Sequence, residues 1–192
     1  MVFTPDPDDA LIVADLQVDF CPGGSLAVPD GDQVVPLVNK LAPRFQTVAT
    51  SQDSHPPDHS SFVEQGGPWP VHCVEGTPGW QFHPDLKVEP DFRVFKARER
   101  EVEEYSAWKA ELAEFLASRG VKRVVVTGLA LDYCVKATAL DARAAGYPVV
   151  VLTDAVRAVN VAPDDGARAL DALRAAGVHE DRAEDAPQPA TA

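Results

Sequence analysis

The sequence has few cysteines and no long apolar run, and each shortage excludes a class of protein. Three of the 192 residues are cysteine, an odd number too small for a disulfide framework, which is typical of a reducing compartment. The acidic N-terminal segment MVFTPDPDDA has no basic stretch followed by an apolar one, so no signal peptide is predicted. No run approaches the ~20 apolar residues of a membrane span. We therefore expect a soluble cytoplasmic protein without a membrane partner.

Positive charge is also scarce. The chain has 17 lysines and arginines against 30 aspartates and glutamates, a net charge of −13, and its basic residues form no obvious cluster. Phosphate backbones should be repelled, so no nucleic-acid partner is expected. The length suits one domain, which we place at residues 1–180, with 181–192 as a disordered tail.

Short apolar runs alternate with segments of helical spacing. Strands are expected at residues 10–14, 47–50, 92–95, 124–126 and 149–152, and helices at about 34–43, 108–119, 134–146 and 163–176. A short edge element is expected near Glu180. This alternation predicts an α/β fold, a doubly wound parallel β-sheet with helices on both faces.

The segment 53–91 shows no helix or strand period. Seven of the 17 prolines lie between residues 54 and 91, and a long irregular segment in a compact domain is usually functional. It contains Asp53, His55 and His59 in the spacing D-x-H-x3-H, and then His72. Carboxylate and imidazole groups bind Zn²⁺, Fe²⁺ or Mn²⁺, so a site for one divalent ion is predicted. Solvated loop histidines are the alternative interpretation.

Three reactive residues each follow a predicted strand: Asp15, Lys96 and Cys134. The carboxyl ends of parallel strands share one edge of the sheet, so these residues should converge. A carboxylate can take a thiol proton, a lysine can stabilise negative charge, and a thiolate can attack a carbonyl carbon. Because Cys134 opens a predicted helix, we expect the helix end to lower its pKa and to offer N–H groups to an oxyanion. Taken singly, the three could instead be a turn cap, a surface lysine and a small core residue.

Four stretches together resemble one known family. They are IVADLQVDFCPGGSLAV, SQDSHPPDH with the later WPVHCVEGTPG, the strand that ends at Lys96 followed by EYSAW, and VTGLALDYCVKATALDA. The chain resembles the isochorismatase-like cysteine hydrolases over roughly residues 10–155 and, among them, the nicotinamidase branch. The metal motif separates that branch from metal-free relatives, which share only the aspartate, the lysine and the cysteine.

The resemblance implies a role for each matched residue. Asp15 would be the base, Lys96 its charged partner and Cys134 the nucleophile. The backbone N–H groups of Ala130 and Cys134 would form the oxyanion hole, after a cis peptide bond between Leu129 and Ala130. Asp53, His55 and His72 would bind the metal, joined in some members by His59. Substrate contacts are expected from Phe20, Trp69, Tyr105 and Leu129. Tyr133 and Leu131 differ from the residues that many relatives have at these positions, so the resemblance does not determine the shape of the pocket.

The family's chemistry would make the chain an amidohydrolase. It would convert nicotinamide to nicotinate and ammonia through a cysteine thioester, with the metal on the pyridine nitrogen, as a step in NAD salvage and pyridine nucleotide biosynthesis. Pyrazinamide and similar carboxamides should also fit, and the protein could be a monomer or a homodimer. One alternative is a metal-free amidase of the same family that acts on a carbamoyl or ureido group. Another is a metal-stabilised binding or thiol-redox module.

Overall fold

A computed structural model describes residues 2–184. Along them lie six strands and four α-helices, which alternate except that no α-helix separates β2 from β3: β1 (Asp9–Ala14), α1 (Val34–Leu41), β2 (Thr47–Asp53), β3 (Phe92–Lys96), α2 (Ala110–Ser118), β4 (Arg123–Leu129), α3 (Lys136–Ala144), β5 (Val149–Arg157), α4 (Asp165–Ala175) and β6 (His179–Asp181). A π-helical turn, Leu131–Val135, leads into α3. Residues 185–192, most of the predicted tail, lie outside the described residues.

The strands form one sheet in the order β3-β2-β1-β4-β5-β6, and every neighbouring pair is parallel. Alternate residues of a strand point to opposite faces. Leu11 and Val13 of β1 pack in the same core cluster as α1. Ala10, Ile12 and Ala14 pack in a second cluster with α2, α3 and α4. The predicted parallel α/β sheet with helices on both faces is therefore confirmed.

Several element bounds differ from those expected, among them the start of α2 and the end of β5. The helix predicted from Trp108 begins at Ala110, because Lys109 has extended backbone with φ −113° and ψ 164°. Trp108 instead packs edge-on against Tyr147. The fifth strand continues to Arg157, beyond the expected end, after a register shift against β4. Both differences lie at element ends, where apolar spacing carries little information.

At the carboxyl edge of the sheet, the neighbouring strands β1 and β4 are in close contact. Gly128 of β4 lies beside Ala14 with φ +104°, and a Cβ there would collide with the Ala14 carbonyl. Glycine tolerates both the contact and the positive φ. The turn after β4 is thereby held next to Asp15, which follows β1. Among residues 2–184, no helix combines the length and the apolar character that crossing a bilayer requires.

Candidate active site and metal centre

Lys96 lies at the centre of the site and is fully buried. Its Nζ is 2.7 Å from Asp15 Oδ2 and 3.2 Å from Cys134 Sγ. The ammonium also donates a hydrogen bond of 3.1 Å to the Tyr105 carbonyl. The three residues predicted to converge from separate strand ends therefore do converge.

The same ammonium reaches a second carboxylate, with Nζ 2.8 Å from Asp53 Oδ1. Burial alone would lower the pKa of Lys96, but the carboxylates of Asp15 and Asp53 outweigh burial and raise that pKa well above its usual value. Lys96 is therefore charged at neutral pH, and it joins the thiol side of the site to the residues around Asp53.

The environment of the thiol overturns the expected lowering of its pKa. Burial, with help from the carboxylates of Asp15 and Asp53, raises the pKa of Cys134 well above 9.0, although the Lys96 ammonium opposes the shift. The free-energy cost of removing a thiolate from water is larger than the stabilisation that the start of a helix provides. The resting thiol therefore keeps its proton and needs an acceptor.

Asp15 is placed to accept that proton. Its carboxylate, that of Asp53 and the Cys134 sulfur offer atoms that all lie within 4.8 Å of one another. Burial raises the pKa of Asp15, while Lys96 and a 2.7 Å hydrogen bond from the Ser51 hydroxyl lower it. A carboxylate with a raised pKa is a stronger base than an exposed aspartate, which suits proton transfer from a thiol.

The turn that carries Cys134 is built around Ala130. The Ala130 carbonyl accepts hydrogen bonds of 3.1 Å from the N–H groups of Tyr133 and Val135. The Leu129–Ala130 peptide bond is cis, as expected. Within residues 2–184 the N–H of Ala130 has no protein acceptor. This N–H can therefore donate to a ligand near the sulfur.

A group of metal-binding type lies beside the thiol. Asp53, His55 and His72 are buried, and each offers one ligand atom within 4.8 Å of the others. Both ring nitrogens of His55 are buried without a hydrogen-bond partner among the described residues. Burial, followed by the neighbouring histidines, lowers the pKa of His55 to about 3, so the ring is neutral. A neutral imidazole is the form that binds a metal.

His72 is oriented by its other ring nitrogen. Its Nδ1 lies 2.8 Å from the Pro70 carbonyl, which can only accept, so Nδ1 carries a proton and Nε2 is the nitrogen that is left for a metal. Metal-binding histidines commonly donate to a carbonyl in this way. One carboxylate and two imidazoles suit Zn²⁺, Fe²⁺ or Mn²⁺. The residues therefore fit the predicted divalent ion.

His59 lies outside this group of three. Its Nδ1 is 2.7 Å from the Ser61 hydroxyl and its Nε2 is 3.1 Å from the Val102 carbonyl. The ring packs behind His55, with the ring centroids 4.3 Å apart. Both ring nitrogens of His59 therefore lie within hydrogen-bonding distance of protein groups, and the His59 ring packs against the His55 ring.

A cleft opens over both parts of the site, with about 380 Å³ of space free of protein atoms when its open mouth is included. Its lining residues are Phe20, Leu26, Asp53, Trp69, His72, Glu103, Tyr105, Ala130, Tyr133, Cys134 and Val159. Three of the four expected substrate-contact residues, Phe20, Trp69 and Tyr105, are among them. Leu129 is not: its side chain is fully buried in the core, next to Gly31.

Several residues of the site escaped the sequence prediction. Ser51 had no distinguishing spacing, although it directly contacts Asp15. Asp132 accepts hydrogen bonds of 2.9 and 2.8 Å from the N–H groups of Val159 and Asn160, and so holds the loop after β5 against the cleft. Its position two residues before Cys134 was the only available signal.

The parallel sheet, the cleft at the carboxyl ends of its strands and the buried reactive residues there define an α/β enzyme. A model of the isochorismatase domain family matches residues 9–181. The chain therefore belongs to the isochorismatase family, as its sequence motifs indicated.

Individual relatives agree with this assignment. The chain is 41% identical over 198 residues to the nicotinamidase of Escherichia coli (strain K12), covering 89% of this chain and 93% of that protein. It is 44% identical to the pyrazinamidase of Pyrococcus horikoshii in complex with zinc, with a TM-score of 0.85 over 92% of this chain and 99% of the other. For PnC1 from L. infantum in complex with nicotinate, the values are 38% identity and a TM-score of 0.89 over 95% and 96%. The chain is an amide hydrolase.

Proposed function

We propose that this enzyme hydrolyses nicotinamide to nicotinate and ammonia, and that it also accepts pyrazinamide and similar ring carboxamides. One observation carries the proposal: Lys96 joins the Asp15 and Cys134 pair to Asp53 of the metal-type group beneath a single cleft. The nicotinamidase and pyrazinamidase relatives support this substrate class. The reaction would serve the salvage of pyridine nucleotides, in the cytoplasm.

Acylation begins with proton transfer. Asp15 takes the proton of Cys134, and the sulfur attacks the amide carbon to form a C–S bond. The carbonyl electron pair moves to oxygen, where the N–H groups of Ala130 and Cys134 donate hydrogen bonds. When the C=O bond re-forms, the C–N bond breaks, and Asp15 returns its proton to the departing ammonia.

Deacylation consumes one water molecule. Asp15 takes a proton from the water, and the hydroxide attacks the thioester carbon. The C–S bond then breaks, Asp15 returns the proton to the sulfur, and the carboxylic acid product loses its own proton to solvent and leaves as nicotinate. Lys96 transfers no proton in this sequence. Its charge holds Asp15 and Cys134 together and balances the negative charge that passes between them.

Asp53, His55 and His72 would hold one divalent ion, Zn²⁺, Fe²⁺ or Mn²⁺. When bound, such an ion supplies a Lewis acid for the lone pair of the ring nitrogen. The zinc complex of the P. horikoshii relative supports a divalent metal here. Phe20 and Trp69 would pack against the substrate ring. The Trp69 indole lies 3.2 Å from the Tyr105 hydroxyl and is held by that hydrogen bond.

Ammonia release tests the proposal. The metal-loaded enzyme should turn over nicotinamide and pyrazinamide at roughly 1 per second or faster. Benzamide, which has the same carboxamide but no ring nitrogen, should react at least about tenfold more slowly, because it loses the positioning interaction. Absence of ammonia from nicotinamide after Zn²⁺, Fe²⁺ and Mn²⁺ have each been supplied would contradict the assignment. Turnover of a ureido substrate instead would favour the metal-free amidase alternative.

A further inference from the structure

Strand β2 continues past the end of its neighbour β1. Pairing between the two strands runs as far as Val13 and Thr50, and β1 ends at Ala14. Asp15 adds one hydrogen bond of 3.2 Å, from its N–H to the Ser51 carbonyl. Asp53, the last residue of β2, therefore has no strand main chain beside it on that side. Buried main-chain groups without partners are costly.

The side chain of Gln17 takes the place of the missing strand. Its Oε1 accepts a 2.8 Å hydrogen bond from the Asp53 N–H, and its Nε2 donates at 2.9 Å to the Asp53 carbonyl. Nε2 also donates at 2.9 Å to the Trp80 carbonyl. Gln17 is fully buried. A carboxamide carries the same donor and acceptor as a peptide group, so it can pair with both sides of Asp53 at once.

The main chain of Asp53 needs this restraint because its carboxylate has two functions. Oδ1 pairs with Lys96 at 2.8 Å, while Oδ2 lies 3.8 Å from His55 Nε2. A shift of the main chain would misplace one oxygen or the other. The Trp80 contact extends the restraint, since the Trp80 indole donates at 2.8 Å to the Ser54 hydroxyl, one residue beyond Asp53.

We propose that Gln17 is a positioning residue of the metal centre. By holding the main chain of Asp53, it keeps that carboxylate directed at His55 and His72 while Lys96 stays paired. The inference rests on the metal-binding part of the proposed function. Gln17 itself contributes no ligand, and removing an outer partner of this kind typically weakens metal binding about 10- to 100-fold.

Gln52 provides a matched control. It is also a buried glutamine, and its Nε2 donates at 2.7 Å to the same Trp80 carbonyl. Its Oε1 has no partner among the described residues, so Gln52 does not bind the main chain of Asp53. The two side chains thus share their type, their burial and one acceptor, and they differ in the contact that the proposal requires.

The test compares Gln17→Met with Gln52→Met, since methionine keeps the unbranched shape and removes the hydrogen bonds. Zn²⁺ affinity is measured by competition with a chromophoric chelator, and the Co²⁺-loaded proteins are compared by visible absorption. Gln17→Met should bind Zn²⁺ about 10- to 100-fold more weakly, with altered Co²⁺ bands. Gln52→Met should keep the wild-type affinity and bands. Circular dichroism checks folding, and if Gln17→Met does not fold, Gln17→Glu replaces it with the same expected loss, because its carboxylate faces two carbonyls.

Each outcome decides the proposal. A folded Gln17 variant with wild-type affinity and bands would overturn it, as would an equal loss in Gln52→Met. If those results accompany ammonia release from nicotinamide by the wild type, the proposed function stands without the positioning role. A Gln17-dependent affinity in an enzyme that releases no ammonia from nicotinamide would keep the positioning role and remove the substrate. A wild type that binds neither Zn²⁺ nor Co²⁺ would overturn the role of Gln17.

Discussion

The site has two parts that are built differently. In the strand-end part, Asp15 follows β1, Lys96 is the last residue of β3 and Cys134 lies in the turn after β4, so the hydrogen-bond register of the sheet places these residues. The loop part, residues 54–91, contains a 3₁₀ turn at Val63–Gln65 and isolated bridges in place of longer elements. It nevertheless supplies His55, His72 and Trp69.

The two parts also differ in how their polar groups are satisfied. In the strand-end part the Lys96 ammonium is paired with carboxylates and with the Tyr105 carbonyl. In the loop part both nitrogens of His55 are buried without a partner among residues 2–184. Leaving such a group unpaired costs about 1–3 kcal/mol. The comparison teaches that charge pairing within the chain holds the first part together, whereas the second has the character of a site that an ion completes.

Replacing the proposed nucleophile disrupts only the strand-end part. Cys134→Ala should lower kcat for ammonia release by about 10⁴-fold or more, because no thioester can form. The metal content should stay at the wild-type level, since the ligands belong to the loop part and to β2. Ammonia release and metal analysis on the same sample check both statements. Activity within about tenfold of the wild type would contradict the thioester route.

Lys96→Met breaks the connection between the two parts. Two buried carboxylates, Asp15 and Asp53, would lose their shared cation, so kcat should fall about 10³-fold and the free energy of unfolding by about 3–5 kcal/mol. Kinetics and denaturant unfolding measure the two effects. Lys109→Met is the control, because its ion pair with Glu104 is partly exposed and should contribute about 1 kcal/mol or less. Equal effects in the two variants would refute the central place of Lys96.

Removing the metal tests the loop part. Treatment with a chelator should lower kcat/KM for nicotinamide about 10²-fold through loss of substrate positioning, and added Zn²⁺, Mn²⁺ or Fe²⁺ should restore it. Circular dichroism should detect no loss of the sheet. A metal-free preparation with full activity would show that the loop part acts without an ion.

The smallest effect concerns the pH dependence set by Asp15, which in the proposed mechanism acts as a base and must be deprotonated to do so. Activity should therefore fall as pH drops through its raised pKa. The Ser51 hydrogen bond lowers that pKa, so Ser51→Ala should move the acid limb of kcat/KM to higher pH by about one unit. Thr50→Val is the control, because the buried Thr50 hydroxyl has no hydrogen-bond partner among the described residues and should leave the limb in place. A shift of the acid limb of kcat/KM to lower pH in Ser51→Ala would contradict the proposed effect of the Ser51 hydrogen bond on Asp15.

Much of the strand-end part could be predicted from the sequence. Three apolar runs each end in one reactive residue, and parallel topology is sufficient to bring Asp15, Lys96 and Cys134 together. The candidate ligands in the loop part could be named from residue type and spacing, but spacing could not separate His59 from His55 and His72. That distinction depends on Ser61 and the Val102 carbonyl, which engage the His59 ring.

Other features of the site could not be predicted from the sequence, because they depend on distances of a few ångströms. The role of Gln17 follows from β1 ending before β2, and apolar patterning does not determine element ends to that accuracy. The pKa of Cys134 depends on how completely the thiol is buried, so a rule about helix ends alone gave the wrong direction. Leu129 was expected at the substrate, yet its side chain turns into the core.

The central claim, a common acyl-enzyme on Cys134, is tested most directly by partitioning between water and hydroxylamine. Nicotinamide and methyl nicotinate would each be turned over at one hydroxylamine concentration, and nicotinohydroxamate and nicotinate would be quantified. A shared thioester predicts the same ratio of the two products from both substrates. Different ratios, or continued turnover without any hydroxamate, would contradict the account.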